Sequence, residues 1–259
     1  MKRFFLFTLC LSALFSCCPC AMNGPKVVAH RGFWKCEAGA KNSIASLNNA
    51  AKIKAWGSEF DVWISGDDSL VVTHDSKHHG LPVKSTSLAD LRQHKLDNGE
   101  TLSSMDQYLQ QALEWPELHL VFEIKTPSVT DSLYEARMVP ACAEIVKKYG
   151  VEKRTTFIAF SLSACEAIAR MMPECNVQYL NGDLSPKEVF ERGISGIDYH
   201  YEVLKQHPEW VKEAQELGMT VNCWTVNSAT DIEEMIALGV DQITTDEPTL
   251  AQKIVKKSR

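Results

Sequence analysis

"TVNCWTVNSATDIEEMIALGVDQITT", residues 220–245, spells out a strand, a helix and a second strand with hardly a residue between them. "TVNCWTV" (220–226) and "DQITT" (241–245) are short and rich in β-branched residues, as strands are. Between them Ser228 and Asp231 form a capping-box-like start, and Gly239 supplies the stop. A helical crossover of this length joins parallel strands, because antiparallel neighbours need only a tight turn. Working outward, the same grammar recurs at "KVVAH" (26–30), "SEFDVWI" (58–64), "LHLVFEI" (118–124), "TTFIAF" (155–160), "NVQYL" (176–180) and "GIDYH" (196–200).

Helical patterns separate these eight strands. Ser43 opens "SIASLNNAAKIKAWG", which is expected to close at Gly57. Pro140 falls within the third helical stretch and predicts a kink or a split. Ser185 caps "PKEVFERG", with Pro186 in its first turn and Gly193 after its end. Strand and helix thus alternate eight times, which predicts a single α/β domain over residues 26–259, a (β/α)8 TIM barrel. "SLVVT" (69–73) lies too close to the preceding strand for a crossover and reads as an extra hairpin strand. Residues 76–103 read as a small insertion after the second barrel strand, with a short helix "SLADLRQH" starting at Ser87 and Asp90. It is expected either to cover the site or to be a surface excursion.

The formal charge of −6 and thinly spread Lys and Arg argue against nucleic-acid binding, which needs a basic face. "MKRFFLFTLCLSALFSCC" has the basic start and short apolar run of a secretory leader. "LFSC" (14–17) resembles a lipoprotein cleavage box, so residues 1–16 read as a signal peptide, Cys17 as a lipid-bearing residue and 17–25 as a tether. Simple secretion, into the periplasm or beyond, is the alternative. Cys36, Cys142, Cys165, Cys175 and Cys223 lie in the globular part without CxxC spacing. They read as buried thiols with room for one bridge and make no zinc site.

In such barrels chemistry sits at the C-terminal ends of the strands. The strand period of two puts Glu59 and Asp61 on one face, and likewise Glu123 and Lys125. His30 and Arg31 finish the first strand, and the hairpin brings His74 and Asp75 to the same rim. Three converging carboxylates repel one another unless protonated, paired or bridged by a hard divalent cation, Ca2+ or Mg2+. Two histidines suit acid and base work, and Arg31 and Lys125 supply fixed charge for a phosphate. The combination points to phosphoryl or phosphodiester chemistry. His78, His79, His94, His119, His200 and His207 are read as ordinary structural or exposed histidines.

"HRG" (30–32), "EFD" (59–61) and "HD" (74–75), followed by "EIK" (123–125), "CWTVN" (223–227) and "GVDQITTDEP" (239–248), together resemble the glycerophosphodiester phosphodiesterase family. The resemblance implies a hydrolase that releases glycerol 3-phosphate and an alcohol, with His30 and His74 as the acid and base pair. It also implies a divalent cation on Glu59, Asp61 and Glu123, phosphate contacts from Arg31 and Lys125, and Trp224 packed on the alcohol part. One position departs from the family pattern: Lys41 in "AKNS" (40–43) stands where an acidic residue is usual, with Glu37 nearby. Two other readings stay open. One is a phospholipase-like enzyme cutting intact lipid or polymer, the other a non-catalytic lipoprotein that binds phosphorylated glycerol compounds. No protein partner is expected.

Overall fold

A computed structural model describes residues 24–127 and 131–259. The leader, Cys17 and most of the tether lie outside the described residues. The predicted strands all form: β1 (Lys26–Ala29), β2 (Gly57–Ile64), and, after the insertion, β7 (His119–Ile124), β8 (Thr155–Ala159), β9 (Asn176–Tyr179), β10 (Gly196–His200), β11 (Thr220–Trp224) and β12 (Gln242–Thr245). All eight run parallel to their neighbours. β1 pairs with β12 on one side and with β2 on the other, which closes the barrel.

Alternation along each strand sorts side chains into two populations. Outward-facing Phe60, Val62, Phe122, Phe157, Tyr199 and Ile243 join the main apolar core beneath the helices. Val28, Val121, Ile158 and Leu180 form a separate small cluster, flanked by Trp56 and Trp224. Polar pairs share the interior: Gln178 donates to Gln242 (3.2 Å), and Asn222 donates to Thr244 (3.0 Å). Each such buried polar atom needs a partner, since an unmet one costs on the order of 1–3 kcal/mol.

The extra hairpin strand forms as expected. β1 is so short that it reaches only Gly57 and Ser58, and β3 (Leu70–Val72) occupies the same side of β2 further along, antiparallel to Val62–Ile64. The insertion adds a two-stranded turn, β4 (Lys77–His78) with β5 (Leu81–Pro82), and the single-turn helix α2 (Leu88–Leu91), capped by Ser87 as predicted. β6 (Ser103–Ser104) then pairs with β3.

Three expectations are corrected. The helix opened by Ser43, α1 (Ile44–Lys52), stops five residues before Gly57. Lys54 turns left-handed (φ 56°), and Gly57 instead starts β2, where a Cβ would lie 3.3 Å from the His119 carbonyl. Pro140 does not split its helix: α4 (Ser132–Tyr149) is continuous, with Met138, Val139, Cys142 and Ala143 buried around the proline. α2 is shorter than "SLADLRQH" suggested, because its apolar anchors are only Leu88 and Leu91. The remaining helices are α3 (Met105–Ala112), α5 (Leu162–Met171), α6 (Pro186–Phe190), α7 (Tyr201–Gln206), α8 (Glu209–Glu216), α9 (Ala229–Leu238) and α10 (Pro248–Lys257). Pro208 separates α7 from α8, so two helices follow β10. The five described cysteines are unpaired; four are buried and Cys36 is half-buried.

His119 illustrates a structural histidine at the barrel floor. It stacks on Trp56 with centroids 4.1 Å apart, and its Nε2 meets Thr156 Oγ1 at 2.8 Å. Burial, aided by the charges of Lys26 and Arg154, lowers its pKa to about 4. An unfolded histidine titrates near ~6.5, so between those values the unfolded chain binds the extra proton. Stability contributed here is complete above pH ~6.5 and is lost as pH falls towards 4. Urea denaturation at pH 7 and pH 5 is expected to show that loss, and His119→Gln to reduce the difference; an equal difference in both proteins would contradict it.

Candidate active site

The rim residues foreseen from strand periodicity converge. β2 supplies Glu59 and Asp61, β7 supplies Glu123, and Lys125 follows one residue after β7 ends. Ligand-type oxygens of the three carboxylates lie within 4.8 Å of one another. All three residues are buried, with Asp61 only 1% exposed. Arg31 adopts a left-handed backbone (φ 56°) that turns its N–H onto Glu59 Oε2 at 2.7 Å. Gly32 follows at φ 73°, where any Cβ would collide with Ser46, which explains the tight "HRG" turn.

Asn42 holds Asp61 from two directions. Its Nδ2 donates to Asp61 Oδ2 (2.8 Å), and its Oδ1 accepts from the Asp61 backbone N–H (3.1 Å). Lys125 Nζ lies 2.8 Å from Glu123 and 3.4 Å from Asp61, and Arg31 Nε lies 3.6 Å from Asp61. Burial alone would raise Asp61, but Lys125, His74 and Arg31 outweigh it and hold the group at about 2. Glu59 goes the other way: burial and the charges of Asp61 and Glu123 push it well above the usual carboxylate range. Burial and Asp61 together raise Glu123 to about 8 despite Lys125. The cluster thus carries more carboxylate than its two cations neutralise.

The residues fit a divalent cation. Glu59 Oε1 is buried without any hydrogen-bond donor and Asp61 Oδ1 has only the Lys125 ammonium at 3.4 Å, although other atoms of both groups are well partnered. Such acceptors beside a third carboxylate are the hard-oxygen set that Ca2+ or Mg2+ takes.

His30 sits just beyond β1. Its Nδ1 is 2.8 Å from Asp246 Oδ1, and its Nε2 is 4.0 Å from Glu59 Oε2. Asp246, just after β12, also accepts from Trp34 Nε1 (3.1 Å) and Asn227 Nδ2 (3.0 Å). Contacts to His30, Trp34 and Asn227 overcome burial and depress the Asp246 carboxyl strongly. It stays ionised and holds the imidazole with Nδ1–H outward to Asp246 and Nε2 towards the carboxylates. His74 arrives on the hairpin: Thr73 N–H bonds the Asp61 carbonyl (2.9 Å), and Trp63 Nε1 donates to the His74 carbonyl (3.0 Å). Its Nδ1 is 2.7 Å from the exposed Asp75.

Trp224 is fixed by a 3.0 Å bond from its Nε1 to the Asp198 carbonyl, with the Phe160 and His200 rings packed near-perpendicular to its own. It walls an inner cavity of about 200 Å3 that His30, Arg31, Glu59, His74, Glu123 and Lys125 also line. All the sequence-predicted site residues except Asp61, buried behind Arg31 and Lys125, therefore face one hollow. The insertion lines two outer cavities, of about 850 and 300 Å3, which meet the inner one at His74. Lys41 makes no ion pair among the described residues; its Nζ lies 4.6 Å from the Trp34 ring centre, and Glu37 is exposed.

Asp246 and Asn227 stood in sequence blocks that carried the family resemblance, yet neither was assigned a role. Applying the strand-end rule to the last strand as strictly as to the first would have found Asp246. Asp198 was missed because it lies within "GIDYH", two residues short of the strand end.

Residues 30–250 match the model of the Glycerophosphoryl diester phosphodiesterase family. A glycerophosphodiester phosphodiesterase from Caldanaerobacter subterraneus is 28% identical over 251 residues, covering 89% of this chain and 98% of the relative. The crystal structure of a glycerophosphodiester phosphodiesterase from Parabacteroides distasonis superposes with a TM-score of 0.88 at 44% identity, over 91% of this chain and 98% of that one. An Oleispira antarctica phosphodiesterase, solved with the product sn-glycerol-3-phosphate, shares the fold at 22% identity and a TM-score of 0.77, over 90% of this chain and 97% of that one. With the barrel, the site and these likenesses in agreement, the chain belongs to the glycerophosphoryl diester phosphodiesterase family, a family of phosphoric diester hydrolases.

Proposed function

We propose that this chain hydrolyses glycerophosphodiesters to glycerol 3-phosphate and an alcohol, with a divalent cation held by Glu59, Asp61 and Glu123 and with two histidines moving the protons. The observation that carries this reading is the joint placement of three buried carboxylates and the Asp246-braced His30 around one small cavity. The Oleispira enzyme's product is the molecule expected here. The cation, when bound, supplies Lewis acidity and a template for the phosphate oxygens.

The remaining work belongs to side chains. Arg31 and Lys125 offset the phosphate's charge, Arg31 being a preorganised fork of donors. His30 Nε2 accepts the proton of the attacking hydroxyl, and Asp246 steadies the imidazolium that forms. Water gives glycerol 3-phosphate directly, whereas attack by the neighbouring glycerol hydroxyl gives a cyclic phosphodiester that a water then opens, losing its proton to one histidine while the other protonates the glycerol oxygen released. His74 gives its proton to the departing alcohol oxygen as the P–O bond breaks. This division follows from position: His74 lines the inner cavity and both outer ones, so the leaving group passes it on the way out. Trp224 packs against the carbon part of the substrate.

Incubation with glycerophosphocholine and Mg2+ or Ca2+ is expected to release glycerol 3-phosphate. Ligand binding without turnover would favour the non-catalytic reading instead. A phospholipase-like activity has one supporting observation, the 850 Å3 outer cavity flanked by Trp63, Pro82, Phe160 and Leu162. Faster cleavage of a lysophospholipid than of glycerophosphocholine would select it. We also propose export and lipid attachment at Cys17, for which the support is the leader sequence. Cys17→Ala is then expected to move the protein from the membrane fraction to the soluble one.

A further inference from the structure

Asp198 lies mid-strand on β10 with 1% of its surface exposed. Neither carboxylate oxygen accepts a well-formed hydrogen bond within the described protein: the Asn222 amide, which eases the carboxyl's charge, is directed to Thr244 Oγ1 at 3.0 Å. Neighbouring polar side chains in the barrel interior each make at least one bond, as Gln178 does to Gln242 and Asn222 to Thr244, whereas Asp198 has both side-chain oxygens unmet. Burial, and then the charge of Glu123, raises the Asp198 carboxyl well above its ordinary range. Such a group weakens the fold wherever it is left unmatched.

The same side chain lines the inner cavity, opposite in character to its neighbours. Ile158, Phe160, Leu180 and Trp224 give that cavity apolar walls, while His30, Arg31, Glu59, Glu123 and Lys125 line its charged part. Asp198 is outside the three-carboxylate cluster whose ligand oxygens share one cation-sized space. At about 200 Å3 the cavity holds a three-carbon polyol phosphate, not a bulky head group. A polyol in such a place covers its C–H faces with apolar side chains and needs acceptors for its O–H groups.

We infer that Asp198 is a specificity-determining residue that accepts hydrogen bonds from the hydroxyls of the substrate's glycerol, using the two oxygens the fold leaves unmatched. The inference rests on the hydrolase reading above and adds to it the residue that tells a glycerol diester from one without hydroxyls. A site built to bond a substrate hydroxyl discriminates strongly against analogues lacking it, because its own polar group is then left buried and unmet.

The test compares glycerophosphocholine with a propyl phosphocholine diester that lacks both hydroxyls, for the wild type, Asp198→Asn and Asp198→Leu. The wild type is expected to prefer the glycerol compound. Both variants are expected to shrink that preference by roughly 10- to 100-fold, mainly through KM, the scale of one or two lost buried hydrogen bonds. Thermal melting supplies an independent readout: relieved of an unmatched carboxylate, Asp198→Asn is expected to melt at or above the wild-type temperature. An unchanged preference in active variants overturns the Asp198 assignment alone. So does a lower melting temperature with equal losses on both substrates, since that marks a structural role. A wild type inert on both diesters overturns the hydrolase reading and this inference together.

Discussion

Stripping divalent metal with EDTA is expected to reduce glycerol 3-phosphate release to background, and returning Mg2+ or Ca2+ to restore it. The reason is electrostatic. Three buried carboxylates within 4.8 Å cannot all be ionised beside only two nearby cations, and without a further positive charge Glu59 and Glu123 turn to protons instead. A bound cation takes the place of those protons, so its affinity rises with pH as proton competition fades. Thermal melting checks binding apart from catalysis: a cation at 100 times its Kd stabilises by about 2.7 kcal/mol. Glu59→Gln and Glu123→Gln are expected to diminish that stabilisation. Undiminished release in EDTA, with no metal-dependent shift in melting, would remove the cation from the proposal.

His30→Ala and His74→Ala are each expected to lower kcat by at least about 10²-fold, the usual contribution of a positioned acid or base. The two differ in what holds them. His30 is braced by a carboxylate that three donors keep ionised, whereas His74 has a single exposed partner in Asp75. Asp246→Asn is therefore expected to reduce kcat with little change in KM, since it disturbs the His30 tautomer and leaves the phosphate contacts in place. Asp75→Asn is expected to do less. Near-normal turnover in both alanine variants would end the two-histidine assignment.

The barrel was legible because its signal is local and repeated: β-branched runs, caps such as Ser185 and Ser228, and stops such as Gly239 each declare one element. Element ends were less legible. Gly57 looks like a helix stop in sequence, but its strand role depends on a close approach to the His119 carbonyl that only the closed barrel creates. Pro140 does not split α4, whose buried residues Met138, Val139, Cys142 and Ala143 run on past it.

Within the site, the convergence of residues marked by short patterns at strand ends, such as "HRG" and "HD", with Glu59 and Asp61 was legible in the sequence. What escaped was pairing across long separations. Asp246 is 216 positions from His30, and no periodicity links them. Asp198 escaped for a different reason: a lone carboxylate mid-strand has meaning only once the absence of partners around it among the described residues is known.

The His30–Asp246 bond joins the two ends of the barrel, since β1 and β12 are also the strands whose pairing completes the ring. The partner of the His30 imidazole is consequently the last to be made. A nascent chain still missing β12 has its "HRG", "EFD" and "HD" segments but no carboxylate behind His30. Copies that end before Asp246 lack the brace on His30, and under the proposed mechanism that ties activity to completion of the ring.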